Sequence, residues 1–178
     1  MNKKKIVTDV ILNIAASAIP IFVLQFIILP VIASMIDSGS YGRMLTIVSL
    51  INLSVSSVLN ILNNSRLISF KKYEESELEG DFNILLLVLT IINVIIVIFG
   101  VWYYEKAFNL VNIILVLSAS ILLLLNGYGV VEFRIKLNYK NILFNEICLV
   151  IGYLLGSVLF IITGYWQLIY LCGFAFSF

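Results

Sequence analysis

Apolar residues along this chain run in long blocks, without the alternation of a strand or the single narrow stripe of a soluble helix. Breaks fall at Asp37 to Gly42, Arg66 to Asp81, Glu105 to Asn109, Glu132 to Asn141 and Gly164 to Gln167. They delimit spans at about 10–36, 43–65, 83–104, 109–131 and 142–163, with a sixth starting near Leu168. Each complete run reaches the roughly 20 residues that a helix needs to cross a bilayer. Runs this continuous are not the alternating segments of about ten residues that build a membrane barrel. The predicted fold is therefore all-α, a polytopic membrane helix bundle of about six transmembrane helices, with residues 1–178 as a single transmembrane domain.

Composition strengthens this reading. The apolar fraction is 62% and the charged fraction 12%, with a mean hydropathy of +1.11. A soluble chain is about half apolar and about a quarter charged, and at this size has too little interior to hide such an excess. Lys3, Lys4 and Lys5 ahead of an apolar run also open a signal peptide, but the run from Val10 to Ile36 is too long for one and predicts a retained, tilted first helix. The sixth run stops eleven residues after it starts, at Phe178, short of the roughly 17 needed to cross. A truncated product or a fragment is the expectation.

Charge decides the orientation. With the N-terminus inside, the inner segments hold Lys3, Lys4, Lys5, Arg66, Lys71, Lys72, Arg134, Lys136 and Lys140, and the outer loops hold Arg43 and Lys106. Basic residues are retained on the cytoplasmic side during insertion. The N-terminus is expected in the cytoplasm, and Tyr103, Tyr104, Tyr165 and Trp166 form an outer aromatic belt. The acidic run Glu74, Glu75, Glu77, Glu79 and Asp81 reads as a solvated cytoplasmic turn or short helix. A net charge of +1 gives no footprint for nucleic acid.

Polar residues inside the spans carry the candidate chemistry. Thr46, Ser49, Asn52, Ser56, Asn60 and Asn63 recur at spacings of three and four, on one face of the second helix, leading to Arg66. Such a stripe is costly against lipid and should face protein or a water-filled cavity; interhelical hydrogen bonding is the alternative. The first helix carries Asn13, Ser17, Pro20 and Gln25, a looser interior face with an expected kink at Pro20. In the fifth helix Asn145, Cys148, Gly152, Gly156 and Thr163 align, and the Gly152/Gly156 pair predicts close helix packing. Glu146 is the one carboxylate within a span, able to carry a proton, pair with Arg134 or reach the interface. The chain has no His, and Cys148 and Cys172 have no metal-type spacing, so no metal, cofactor or enzymatic site is expected.

A basic N-terminus, a long Pro-containing first helix and "SGSYGRM" opening the second resemble the bacterial polysaccharide flippases of the multidrug and oligosaccharidyl-lipid exporter superfamily. "VEFRIKLNYKNILFNEI" between the fourth and fifth helices and "TGYWQLIY" leading into the sixth are similar to that family's inter-helix segments. The resemblance implies the N-terminal lobe of a transporter of 12 to 14 helices. Its substrate would be an undecaprenyl-pyrophosphate-linked oligosaccharide moved across the bacterial cytoplasmic membrane for O-antigen, capsule or related polymer assembly. Membrane lipid and the polysaccharide polymerase machinery would be its partners. On this reading Asn13, Gln25, Ser49, Asn52, Ser56, Asn60 and Asn63 line the substrate pathway, Arg66 steadies the pyrophosphate, and Glu146 is the candidate for ion or proton coupling. A drug or small-solute exporter of the same superfamily and a non-transporting membrane scaffold are the rival readings. A membrane-embedded transferase would need a positioned acid, base, nucleophile or metal that these spans lack.

Overall fold

The computed structural model describes residues 3–76, 79–104 and 109–177, and the side chains of 7–69, 81–104 and 109–177. The described residues form helices without a strand. Lys3, Lys4, Lys5, Lys71, Lys72, Lys106 and the run Glu74 to Glu79 fall outside the described side chains. Helix α1 (Lys3–Phe22) continues through a π-helical segment (Val23–Ile28) into α2 (Leu29–Met35). There follow α3 (Ser38–Ser76), α4 (Glu79–Tyr104), α5 (Leu110–Ile135), α6 (Tyr139–Thr163) and α7 (Gln167–Phe176). Five spans are long and apolar enough to cross a membrane: Val7–Met35, Ser38–Ser69, Asp81–Tyr104, Leu110–Ile135 and Tyr139–Thr163. Their outer surface is apolar, with Ile61, Ile68 and Ile162 among the most exposed side chains. Only a hydrocarbon solvent leaves so much Ile and Leu outside without penalty.

Two groups of helices share α3 and α5. In the first, α3, α4 and α5 pack around Ile51, Val55, Leu62, Val97, Val101 and Leu124. In the second, the π segment, α6 and α7 enclose Ile28, Ile32, Tyr153, Phe160 and Ile169, with Met44 and Ala119 reaching in from α3 and α5. The Gly152/Gly156 pair does what its spacing predicts. A methyl group at Gly156 would lie 2.5 Å from the Leu168 carbonyl oxygen and 2.6 Å from the Ile169 Cα, so α7 rests directly on the α6 backbone. Tyr153 then fills the space over Gly173 and meets the rings of Tyr170 and Phe174 edge-on.

Three boundaries differ from expectation. The break before α3 is only Ile36 and Asp37, because Asp37 caps the helix: its Oδ1 accepts the Ser40 N–H at 2.9 Å and its carbonyl accepts the Tyr41 N–H. Residues 38–42, which fall in the hydropathy break between the first two spans, form the first turn of α3. At its other end α3 runs through Arg66 to Ser76 instead of stopping near residue 65. In the first span, helix continues through Pro20, and the departure from α geometry comes at Val23–Ile28. The Leu29 N–H bonds the Leu24 carbonyl, five residues back. Pro30 has no N–H and its ring crowds the carbonyl four residues earlier, so the widened turn ahead of it relieves that clash.

The tight connections follow local rules. Asn109 caps α5 by accepting the Val111 N–H at 3.0 Å, and Gly164, at φ +79°, closes α6 in the left-handed conformation. The turn from α5 to α6 places Leu137 at φ +52°, and the Asn138 N–H returns to the Phe133 carbonyl at 2.8 Å.

Candidate functional site

The polar stripe of α3 divides in two. Ser49, Asn52, Ser56 and Asn60 are exposed, on the flank opposite the buried side chains Met44, Ile47, Ile51, Val55 and Leu62. From Ser49 to Asn60 the helix rises eleven steps, about 16 Å along its axis at 1.5 Å per residue, or half of the hydrocarbon thickness. The Asn52 Nδ2 donates to the Val48 carbonyl at 3.0 Å, and the side chain is exposed. The lower part of the stripe turns inward. Asn63 donates to the Gly127 carbonyl at 3.2 Å. Arg66 donates from Nη1 to the Tyr128 carbonyl at 2.8 Å, lies with its guanidinium carbon 3.9 Å above the Tyr128 ring centroid, and stands 4.0 Å from the Glu132 carboxylate. Glu132 in turn accepts from Lys136 at 2.8 Å. The guanidinium is thus engaged by α5, with a side chain only 13% exposed.

Asn13 and Gln25 are exposed on α1 and the π segment, and α1 packs against α6, not α3. Among the described residues, no contact brings either of them beside the α3 stripe. Glu146 is part-buried on α6 and forms no ion pair within 4.0 Å among the described residues; Arg134 is exposed on α5. The described residues contain no group of His, Cys, Asp or Glu arranged to hold a metal.

Hydropathy did not single out the most buried polar cluster. The Ser54 Oγ donates to the Asn93 Oδ1 at 2.7 Å, and the Asn93 Nδ2 donates to the Ser120 Oγ at 2.7 Å, joining α3, α4 and α5. Asn93 and Ser120 are both 0% exposed. Asn93 is the one amide between Ile84 and Tyr104, with only Thr90 near it, so no periodicity marks it; a lone amide in a span needs a partner, and that was the available signal. Asn126 likewise donates to the carbonyl and hydroxyl of Ser177, tying α5 to the end of α7.

Cavities among the described residues flank these elements. A crevice between α3, α5 and α7 holds ≈ 10 Å³ of free space, lined by Asn52, Trp166, Gln167, Tyr170 and apolar neighbours. A vestibule of ≈ 470 Å³ lies at the end of the bundle beside Asp37, Ser40, Arg43, Asn112 and Trp166. The third, ≈ 580 Å³, lies between α5 and α6 near Asn126, Asn141, Asn145 and Phe144. Hydrogen bonding from Ser40 holds the Asp37 carboxyl below the usual carboxylate range, with the Arg43 charge adding to the effect. The arrangement can hydrogen-bond neutral polar groups along α3. No family model matches the chain, and neither a curated protein nor a solved structure matches it.

Proposed function

We propose that this chain is the N-terminal lobe of a bacterial polysaccharide-type flippase, set in the cytoplasmic membrane with its N-terminus inside and handling a lipid-linked oligosaccharide. The observation that carries the reading is the exposed ladder Ser49, Asn52, Ser56 and Asn60 on a bundle whose remaining surface is largely Ile, Leu, Val and Phe. Neutral amides and hydroxyls offer donors and acceptors to sugar hydroxyls without fixing a charge in hydrocarbon, while a prenyl tail stays in lipid. In a transporter of two lobes such a face closes against the second lobe around the cargo. Arg66, engaged by Tyr128, serves this reading as the anchor of the inner end of α3 on α5.

The test is binding to the purified chain in nanodiscs, read by native mass spectrometry with an undecaprenyl-pyrophosphate disaccharide and its sugar-free counterpart as probes. The disaccharide form should be retained better, and a Ser49→Ala, Asn52→Ala, Asn60→Ala variant should lose that preference. Equal retention of the two lipids by the parent chain, or an unchanged preference in the variant, sinks the reading.

A further inference from the structure

Gln167 opens α7 at 2% exposure, and its amide oxygen has no hydrogen-bond partner. A buried acceptor left alone is rare in a native fold and marks a place where a donor belongs. The side chain lines the narrow crevice, whose ≈ 10 Å³ of free space is about that of one water-sized group. Most of the rest of the wall is apolar, from Val48 and Ile51 of α3, Val116, Ala119 and Leu123 of α5 and Phe174 of α7, so the incoming group is neutral. At one side of the crevice stands Asn52 of the exposed ladder; at another stands Trp166, which also lines the polar vestibule of ≈ 470 Å³. That volume lies within the range of about 300 to 1,000 Å³ typical of small-molecule sites. The indole is held edge-on to Tyr170 at 6.1 Å between ring centroids.

We propose that the vestibule and crevice form one binding site for a neutral hydroxylated ring, stacked on Trp166, with a single hydroxyl inserted into the crevice and donating to the Oε1 of Gln167. The flat C–H face of a pyranose matches an indole face, and the vestibule's Ser40, Arg43, Asn112 and Asp37 offer donors and acceptors to its remaining hydroxyls. The site rests on the proposed cargo only in taking the ring to be one of its sugar units. It adds a second sugar contact, from α7, at the end of the α3 ladder.

The experiment uses the full chain with Trp102→Phe, so that Trp166 is its sole indole, in phosphatidylcholine nanodiscs. Trp166 emission is titrated with methyl N-acetylglucosaminide, methyl glucoside and methyl rhamnoside. A saturable change with at least one glycoside is expected, weakened at least tenfold by Gln167→Met, which keeps the volume and removes the amide oxygen. Ala119→Val, which fills the crevice from α5 and leaves Gln167 in place, should weaken it similarly. No saturable change with any of the three, or equal affinity in both variants, overturns the proposal. So does a change produced only by exchanging phosphatidylcholine for phosphatidylglycerol, which would make this a lipid-headgroup site centred on Arg43. If the glycoside titration saturates while the lipid-linked probe shows no dependence on the α3 ladder, the cargo reading falls and this site stands. If ladder-dependent binding persists while Gln167→Met leaves the titration unchanged, the site falls and the cargo reading stands.

Discussion

Arg66 grips Tyr128 twice, donating to its carbonyl at 2.8 Å and covering its ring at 3.9 Å. The planar guanidinium can do both at once; an ammonium cannot. A charged hydrogen bond contributes about 1.5 to 3 kcal/mol, and a cation over an aromatic ring about 0.5 to 2 kcal/mol. Arg66→Met should therefore destabilise the detergent-solubilised chain by about 2 to 4 kcal/mol, and Arg66→Lys should recover less than half of that. Thermal unfolding followed by circular dichroism measures both. A Lys variant as stable as the parent would remove the argument from shape.

Asn93 lies fully buried between Ser54 and Ser120. Interhelical hydrogen bonds in membranes average about 0.6 kcal/mol and reach about 1.7, so Asn93→Leu should cost about 1 to 3 kcal/mol. Part of that cost is the lost partner of two buried hydroxyls, of which Ser54 keeps its bond to the Ile51 carbonyl at 3.1 Å. Adding Ser54→Ala and Ser120→Ala to Asn93→Leu should then restore stability partway toward the parent. Strictly additive losses in the triple variant would show that the three side chains do not act as a unit.

Gly156 allows α7 to lie against the α6 backbone. Overpacking a fixed contact costs typically about 1 to 3 kcal/mol, and Gly156→Leu should exceed that range because the obstructing atoms are main chain. Rapid proteolysis near α7 in the variant, against resistance in the parent, is the expected readout.

The Asp37 carboxyl is held below its ordinary range chiefly by Ser40. A depressed folded-state pKa adds stability above the unfolded value of about 3.9, and that contribution disappears as the pH falls through the folded value. The Tm of the parent should exceed that of Asp37→Asn near about pH 6, and the difference should shrink as the pH falls below the ordinary carboxylate range of about 4. A difference independent of pH would assign the effect to helix-cap geometry alone.

Orientation is open to direct labelling. With Cys148 and Cys172 replaced by Ala, Ser38→Cys should react with an impermeant maleimide on intact cells, and Lys140→Cys only after permeabilisation. The reverse pattern would place the N-terminus outside.

Hydropathy made the spans and the Gly152/Gly156 contact legible because both depend on local pattern alone. It misplaced both ends of α3, for opposite reasons. Ser38 to Gly42 look like a loop until Asp37 is seen to cap them, and Arg66 looks like a helix end until Tyr128 is seen to receive it. A charge ends a span in a hydropathy profile whether or not another helix satisfies it. The ladder from Ser49 to Asn60 was readable because it repeats; Asn93 and Gln167, each alone, acquire meaning only from what α5 and α7 place around them. Asn13 and Gln25 shared the polar character of the ladder, yet sequence cannot say that α1 lies on α6.

The length of α3 sets a mechanical property of the lobe. Its 39 residues make a rod of about 58 Å, longer than the roughly 40 to 45 Å of a bilayer with its headgroups. One rod carries both the exposed ladder and a tip that outreaches the bilayer. Pivoting it by about 10° about its capped end at Asp37 sweeps the tip through about 10 Å, so a push on the tip, where Arg66 and Tyr128 permit it, re-aims every rung of the ladder together.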